Sequence, residues 1–332
     1  MRTFACGVCR RLIFFENTAC LSCGAALGFD WATRELLTAP GGPRCANAEL
    51  AGCNGLAGAP GELCAACLLT RTRPADDDAE GLAAFRVAEA AKRRLVFELG
   101  ELGLPVESWR ERDGGLAFDL LSSARSPVTT GHASGVVTLD LAESDDAHRE
   151  RMREELGEPY RTVLGHLRHE VGHYYWTVLA PDEPRRERSR ALFGDERADY
   201  AAALERHYAD GPPPDWGGRH VSAYATMHPA EDWAETFAHY LHIHDTLQTA
   251  AAHRVRVLGP QAVVERRPAP ELASVPREGR ETFDELLADW LPLTYALNAL
   301  NRSMGRDDLY PFVIAPPVVD KLALVHELVA EV

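Results

Sequence analysis

Apolar side chains recur every three or four positions between residues 164 and 178. Pro159 suits the first turn of a helix that contains them, and Pro181 suits its end. The histidines of this stretch lie on another face of the same predicted helix. The pattern therefore predicts an amphipathic helix, whose apolar face is formed by Leu164, Leu167, Val171, Tyr175 and Val178.

The same patterning predicts further elements on both sides of this helix. Apolar periodicity predicts a helix at 81–102, and alternation predicts strands at 116–121 and 135–141. Strands that precede such a helix are typical of a mixed sheet on which the helix lies. The basic run at 185–188 is predicted to be a solvated loop. Other helices are predicted at 144–156, 191–210, 281–301 and 317–331.

Two histidines of the first helix are separated by four positions and enclose a glutamate, as His169-Glu170-x-x-His173. Successive residues of an α-helix are about 100° apart, so positions 169 and 173 lie one above the other. This spacing is typical of zinc hydrolases. We predict His169 and His173 as zinc ligands and Glu170 as the catalytic general base. His166 is predicted to support the site or to lie at the surface; the alternative for the whole helix is that its histidines are incidental.

A catalytic zinc ion needs a third protein ligand and a position for water. Glu231, Glu235 and His239 recur every four residues on one face of a second predicted helix, whose first turn contains Pro229. We predict Glu231 as the third ligand, with Glu235 accepting a hydrogen bond from the outer nitrogen of a ligand histidine. Either Glu235 or His239 remains an alternative third ligand.

All eight cysteines lie in the first 67 residues, which indicates a metal-binding module rather than scattered disulfides. Two Cys-x-x-Cys pairs with ten residues between them are typical of a zinc ribbon with a closed tetrahedral site. A second, less regular set predicts a second structural zinc site, although ligands drawn from both sets remain possible. The first set is Cys6, Cys9, Cys20 and Cys23, and the second is Cys45, Cys53, Cys64 and Cys67.

The composition limits the partners and the compartment. The chain has 332 residues with 35 basic and 50 acidic side chains, and its net charge of −15 argues against a general affinity for nucleic acid or anionic membranes. No apolar run of transmembrane or signal-peptide length is present, so we expect a cytoplasmic protein. We predict a double zinc-ribbon domain at 1–70, a linker at 71–80 and a metallopeptidase domain at 81–332.

Three stretches together resemble the bacterial zinc-binding metallopeptidases that carry an N-terminal zinc ribbon: the cysteine-rich head, 168–176 and 231–242. The resemblance implies an α+β fold, with a zinc ribbon followed by a mainly helical zincin-like domain and a small mixed sheet. Tyr224, Glu231 and Glu235 are also similar to the arrangement in gluzincins of the lethal-factor type. That similarity implies that Tyr224 assists the oxyanion, Glu231 binds zinc and Glu235 supports the site from outside.

These observations predict a zinc-dependent peptidase that acts on proteins or peptides. We expect about three zinc ions, one in each of two closed cysteine sites and one in an open catalytic site. The alternative is an adaptor whose zinc ribbons bind a protein or nucleic acid and whose zincin-like part is a scaffold.

Overall fold

The computed structural model describes residues 1–124, 126–145, 162–257 and 283–332. These residues form two compact units. The ribbon unit comprises the described residues from Arg2 to Tyr174, and the helical unit comprises Met1 and the described residues from Tyr175 to Val332. Every helix within these ranges is too short or too polar to cross a membrane.

The ribbon unit begins with two antiparallel hairpins. Strand β1 (Phe4–Ala5) pairs with β2 (Leu12–Ile13), and β3 (Leu27–Asp30) pairs with β4 (Glu35–Thr38). Two short helices follow, α1 (Ala48–Ala51) and α2 (Ala65–Leu68). So little regular structure can bury only a small apolar core, and closed zinc sites commonly supply the missing stability in small modules.

Helix α3 (Ala79–Glu101) gives the ribbon unit a longer apolar surface and confirms the helix predicted at 81–102. The side chain of Asp78 caps it by accepting a hydrogen bond from the backbone nitrogen of Gly81 at 2.8 Å. The Phe97 ring lies 4.9 Å from the Phe15 ring, centroid to centroid. The hairpins therefore pack on the apolar face of α3.

A four-stranded mixed sheet follows the order β5-β6-β8-β7. Strands β6 (Ala117–Leu121) and β8 (Val136–Asp140) confirm the two predicted strands and pair in parallel. Strand β5 (Thr70–Thr72) is parallel to β6, and β7 (Gly131–Ala133) is antiparallel to β8. Because β5 lies at the start of the predicted linker, that stretch begins as an edge strand. The domain boundaries remain a proposal.

Helix α4 (Val163–Leu179) is the predicted metal helix. Leu167, Val171 and Tyr175 on its apolar face are fully buried. The predicted start at Pro159 lies outside the described residues. Most of the charged helix predicted at 144–156 also lies outside the described residues. Its first residue, Ser144, is the last residue of a 3-10 turn at Leu141–Ser144.

The helical unit contains five α-helices among its described residues, and most were predicted. The 191–210 helix is divided in two, because Gly194 ends α5 with φ 95°. The described part of the 281–301 helix is confirmed, and residues 281 and 282 lie outside the described ranges. The helices are α5 (Glu183–Phe193), α6 (Tyr200–Asp210), α7 (Pro229–Ala252), α8 (Phe283–Ser303) and α9 (Pro316–Ala330).

The prediction of a loop at 185–188 is wrong, because this basic run lies inside α5. The Asp182 side chain caps the helix by accepting a hydrogen bond from the backbone nitrogen of Arg185 at 3.0 Å. Arg188 binds Glu331 beside the end of α9, with an Nη1 to Oε1 distance of 3.0 Å. The cap starts the helix, and ion pairs at and beside α9 stabilise it, which explains why the basic run at 185–188 is helical rather than a loop.

Candidate metal centre

His169 and His173 project from neighbouring turns of α4, and their ring centroids lie 5.0 Å apart. His169 is only 8% exposed, whereas His173 is partly exposed. The burial of the apolar face of α4 turns both imidazoles to the opposite side of the helix. The predicted pair therefore shares one face, as the four-residue spacing requires.

Aromatic contacts hold the end of α4 against α7. The ring of Tyr175 stacks on that of Phe237 with centroids 5.3 Å apart, and Trp176 meets Trp233 edge to face at 5.1 Å. Trp233 and Phe237 are fully buried. Because Glu231 lies in the first turn of α7, these contacts fix the helix that carries the predicted third ligand.

The structure groups His169, His173 and Glu231, whose potential ligand atoms lie within 4.8 Å of one another. Zinc binds imidazole nitrogen and carboxylate oxygen at about 2.0–2.2 Å, so these three side chains need move only slightly to hold one ion together. Glu231 is 2% exposed, and a carboxylate buried this deeply is unfavourable without a cation or donors. The donor set therefore fits a zinc ion with room for water.

The carboxylate of Glu170 provides a second indication that this site suits a zinc ion and a water molecule. Its Oε1 lies 3.2 Å from Nε2 of His166. Its Oε2 is buried and has no hydrogen-bond partner among the described residues. Burial alone would raise the pKa of Glu170, but the hydrogen bond from His166 and the nearby charge of His169 outweigh it and lower that pKa. Glu170 is therefore an ionised carboxylate with one oxygen left to accept a proton.

His166 contacts Glu143 and Glu170 and lies outside the group formed by His169, His173 and Glu231. Its Nδ1 lies 2.6 Å from Oε2 of Glu143, and its Nε2 faces Glu170. Burial opposes protonation of His166, but the hydrogen bonds to Glu143 and Glu170 outweigh that effect and raise its pKa to about 9. The sequence predicted that His166 either supports the site or lies at the surface, and it gave no sign of Glu143, because nothing local connects these two residues.

Two further residues near the ligands were also missed. The hydroxyl of Tyr200 donates to Oε1 of Glu231 at 3.0 Å. The ring of His132 in β7 stacks on that of His173 with centroids 6.2 Å apart, and burial lowers its pKa to about 4. A lone tyrosine and a lone histidine carry no spacing signal, so only their positions in the fold reveal them.

The remaining predicted residues lie on or beside α7. Tyr224 begins the 3-10 turn Tyr224–Thr226 before α7, and its ring centroid is 6.0 Å from that of His207. Glu235 lies one turn after Glu231 and is partly buried. His239, the other alternative ligand, has its Nδ1 2.7 Å from the Tyr310 hydroxyl. The roles of these side chains remain predictions.

Both cysteine sets form compact groups, each with its sulfur atoms within 4.8 Å of one another. The groups are Cys6, Cys9, Cys20 and Cys23, and Cys45, Cys53, Cys64 and Cys67, so the structure separates the sets as the spacing suggested. Gly24 adopts a φ of 72° directly after the second pair of the first set, which suits a tight turn beside a metal. In the second set, backbone nitrogens of Gly55 and Cys64 donate to cysteine sulfurs at 3.3 and 3.2 Å.

The second cysteine group is fully buried and lies against charged residues of α3. Oε2 of Glu89 is 3.6 Å from the Cys67 sulfur, and Oε1 accepts from the Lys92 ammonium at 2.6 Å. Neither side chain of this ion pair has any exposed surface. The neighbours of the cysteine group on α3 therefore include a buried ion pair that carries no net charge.

Comparison with known protein families gives two matches. Residues 81–328 match the family described as "Putative zinc-binding metallo-peptidase", which covers most of the chain. Residues 3–43 match a zinc-ribbon domain. Together with the cysteine groups, these matches support zinc as the metal of this protein.

Relatives with similar sequences are uncharacterized proteins from Mycobacterium bovis and from two strains of Mycobacterium tuberculosis. Each is 51% identical over 339 aligned positions, which include 100% of this chain and 96% of the relative. No solved structure matches the chain.

Proposed function

The chain belongs to the "Putative zinc-binding metallo-peptidase" family, and we propose that it is a zinc-dependent peptidase. The observation that carries this proposal is the approach of His169, His173 and Glu231 to within 4.8 Å. Two imidazoles and a carboxylate would leave one of the four coordination positions of a zinc ion open, which distinguishes a catalytic zinc site from a closed structural one. The substrate class is a protein or peptide.

Zinc in such a site lowers the pKa of a coordinated water and polarises a carbonyl group. Glu170 takes the proton of the attacking water on Oε2, which has no hydrogen-bond partner among the described residues, and later delivers it to the leaving amine. Glu235 accepts a hydrogen bond from a ligand histidine, through the ring nitrogen that faces away from the metal site. Tyr224 donates a hydrogen bond to the oxyanion, an interaction of about 2.7–4 kcal/mol in comparable sites.

The cysteine groups complete the proposed organisation. We assign residues 1–70 to a double zinc-ribbon module, 71–80 to a linker and 81–332 to the zincin-like peptidase domain. Each cysteine group would hold one structural zinc ion. The chain would then bind one catalytic and two structural ions.

Metal analysis tests this assignment directly. We expect about three zinc ions per chain, and about two after His169→Ala and His173→Ala are combined, because only the open site loses its ligands. Elemental analysis of purified protein at known concentration measures this ratio. The exposed His253 provides a control, since His253→Ala should retain all three ions. Three ions in the double variant would contradict the proposed ligand set.

A binding role for the first ribbon is a second candidate, favoured by the exposure of its apolar side chains. Val8 and Leu21, each between the two cysteines of a pair, are 66% and 87% exposed. Apolar side chains grouped on a surface often mark a protein contact. If they recruit protein substrates, Val8→Ser combined with Leu21→Ser should raise KM for a protein such as casein. The kcat and KM for short peptides should stay unchanged, and an unchanged KM for casein would argue against recruitment.

A further inference from the structure

The imidazole of His166 lies between two buried carboxylates. Its Nδ1 is 2.6 Å from Oε2 of Glu143, and its Nε2 is 3.2 Å from Oε1 of Glu170. The side chains of Glu143 and Glu170 are 7% and 6% exposed, and that of His166 is 19% exposed. Little water therefore competes for either contact.

Both acceptors are carboxylate oxygens, so both ring nitrogens must carry hydrogen and donate. A neutral imidazole has one N–H and could satisfy only one of the two carboxylates. His166 therefore acts as a cation between two anions, and hydrogen bonds between charged groups are stronger than neutral ones. With both nitrogens donating, His166 has no lone pair to offer a metal ion.

Glu143 is itself anchored on its second oxygen. Its Oε1 accepts a hydrogen bond from the hydroxyl of Thr130 at 3.1 Å. That hydroxyl oxygen accepts from the backbone nitrogen of Asp140, the last residue of β8, at 3.0 Å. A chain of hydrogen bonds thus runs from the sheet through Thr130 and Glu143 to His166, and it sets the orientation of the imidazole.

The end of this chain is Glu170. The terminal torsion of a glutamate side chain is broad, so a free carboxylate samples many orientations. The ion pair with His166, at 3.2 Å from its Nε2 to Oε1, restricts that freedom, and Oε2 has no hydrogen-bond partner among the described residues. Glu143 and His166 would therefore decide which oxygen of Glu170 is presented for proton transfer.

We propose that His166, oriented by Glu143, is a positioning residue for Glu170. The inference rests on the proposed function, since it assigns a support to the general base of that reaction. It also separates His166 from the metal ligands on the same helix. Comparable supports of metal sites change affinity or activity by about 10–100-fold when they are removed.

Kinetics of four variants test the inference. His166→Phe keeps an aromatic ring but no donor, and it should lower kcat about 10–100-fold with KM and zinc content unchanged. His166→Gln should recover part of the loss, because its amide can donate to Glu170. Glu143→Ala should lower kcat, but adding it to His166→Phe should cause no further loss, since both act through one path. A wild-type kcat in His166→Phe, or additive losses in the double variant, would overturn the inference.

Ligand binding supplies a test that does not depend on peptide cleavage. Benzohydroxamate carries a hydrogen that a glutamate can accept, whereas azide binds a metal without one. In cobalt-exchanged protein, His166→Phe should weaken benzohydroxamate binding about tenfold and leave azide binding unchanged. Unchanged binding of both ligands, or equal weakening of both, would overturn the inference. If the wild-type protein cleaved no peptide, the proposed function would fail while this titration still tested the role of His166.

Discussion

Replacing Glu170 by glutamine is expected to reduce peptide cleavage by roughly 10²–10⁴-fold, the usual contribution of a general base. Glutamine has nearly the same shape but cannot take a proton from water at neutral pH. The zinc content should stay at the wild-type value, because Glu170 does not belong to the group formed by His169, His173 and Glu231. Cleavage of a mixed peptide pool, followed by mass spectrometry, together with metal analysis measures both quantities.

The matched control for this change is Glu205→Gln, the same replacement at an exposed position of α6. It should leave both cleavage and metal content unchanged. A Glu170→Gln protein that cleaves at the wild-type rate would contradict the proposed mechanism. A Glu170→Gln protein that loses zinc would instead show that Glu170 helps to hold the metal.

Replacing Glu98 by alanine is expected to lower the free energy of unfolding by about 3–5 kcal/mol. Oε2 of Glu98 in α3 accepts from Nε and Nη2 of Arg168 in α4 at 3.0 and 2.9 Å. The side chains of Glu98 and Arg168 are 1% and 4% exposed, so removing the carboxylate removes the acceptor of both hydrogen bonds from a buried cation. Because Arg168 precedes His169, a predicted ligand, this pair also helps to hold α4 on α3. Urea unfolding followed by circular dichroism measures the change.

An exposed ion pair between α3 and the N-terminal ribbon provides the control. Nε of Arg94 lies 3.1 Å from Oε1 of Glu16, and both side chains are about 40% exposed. Arg94→Ala should change the free energy of unfolding by only about 0–1 kcal/mol, because water and salt screen such a pair. Combining Glu98→Leu with Arg168→Met should be less destabilising than Glu98→Ala, since both charges of the pair are removed together. Equal effects of Glu98→Ala and Arg94→Ala would contradict this explanation.

Local patterning predicted several elements well. The helix at α3, the strands β6 and β8 and the last helix were predicted from periodicity, because each buries residues at a regular spacing. The loop predicted at 185–188 was wrong, since charge in a sequence does not reveal a partner. Arg188 of this run pairs with Glu327 in α9 and with Glu331 directly after α9, both far along the chain.

The residues missed around the metal centre share a different cause. Glu143, His132 and Tyr200 are isolated in the sequence and have no motif around them. The fold brings each beside a residue of the predicted site: Glu143 beside His166, His132 beside His173 and Tyr200 beside Glu231. A linear pattern cannot predict such contacts, because they depend on how distant segments pack.

The sequence by itself determined which residues can share a face or a turn. The spacing of His169 and His173 places two imidazoles on one side of a helix, and the Cys-x-x-Cys pairs place thiols on tight turns, because these geometries depend only on neighbouring residues. The tertiary structure decided that Glu231 joins His169 and His173 in one group of potential ligand atoms and that His166 lies beside Glu170. Those choices depend on aromatic packing between α4 and α7 and on the position of Glu143, and such long-range contacts leave no periodic trace in the chain.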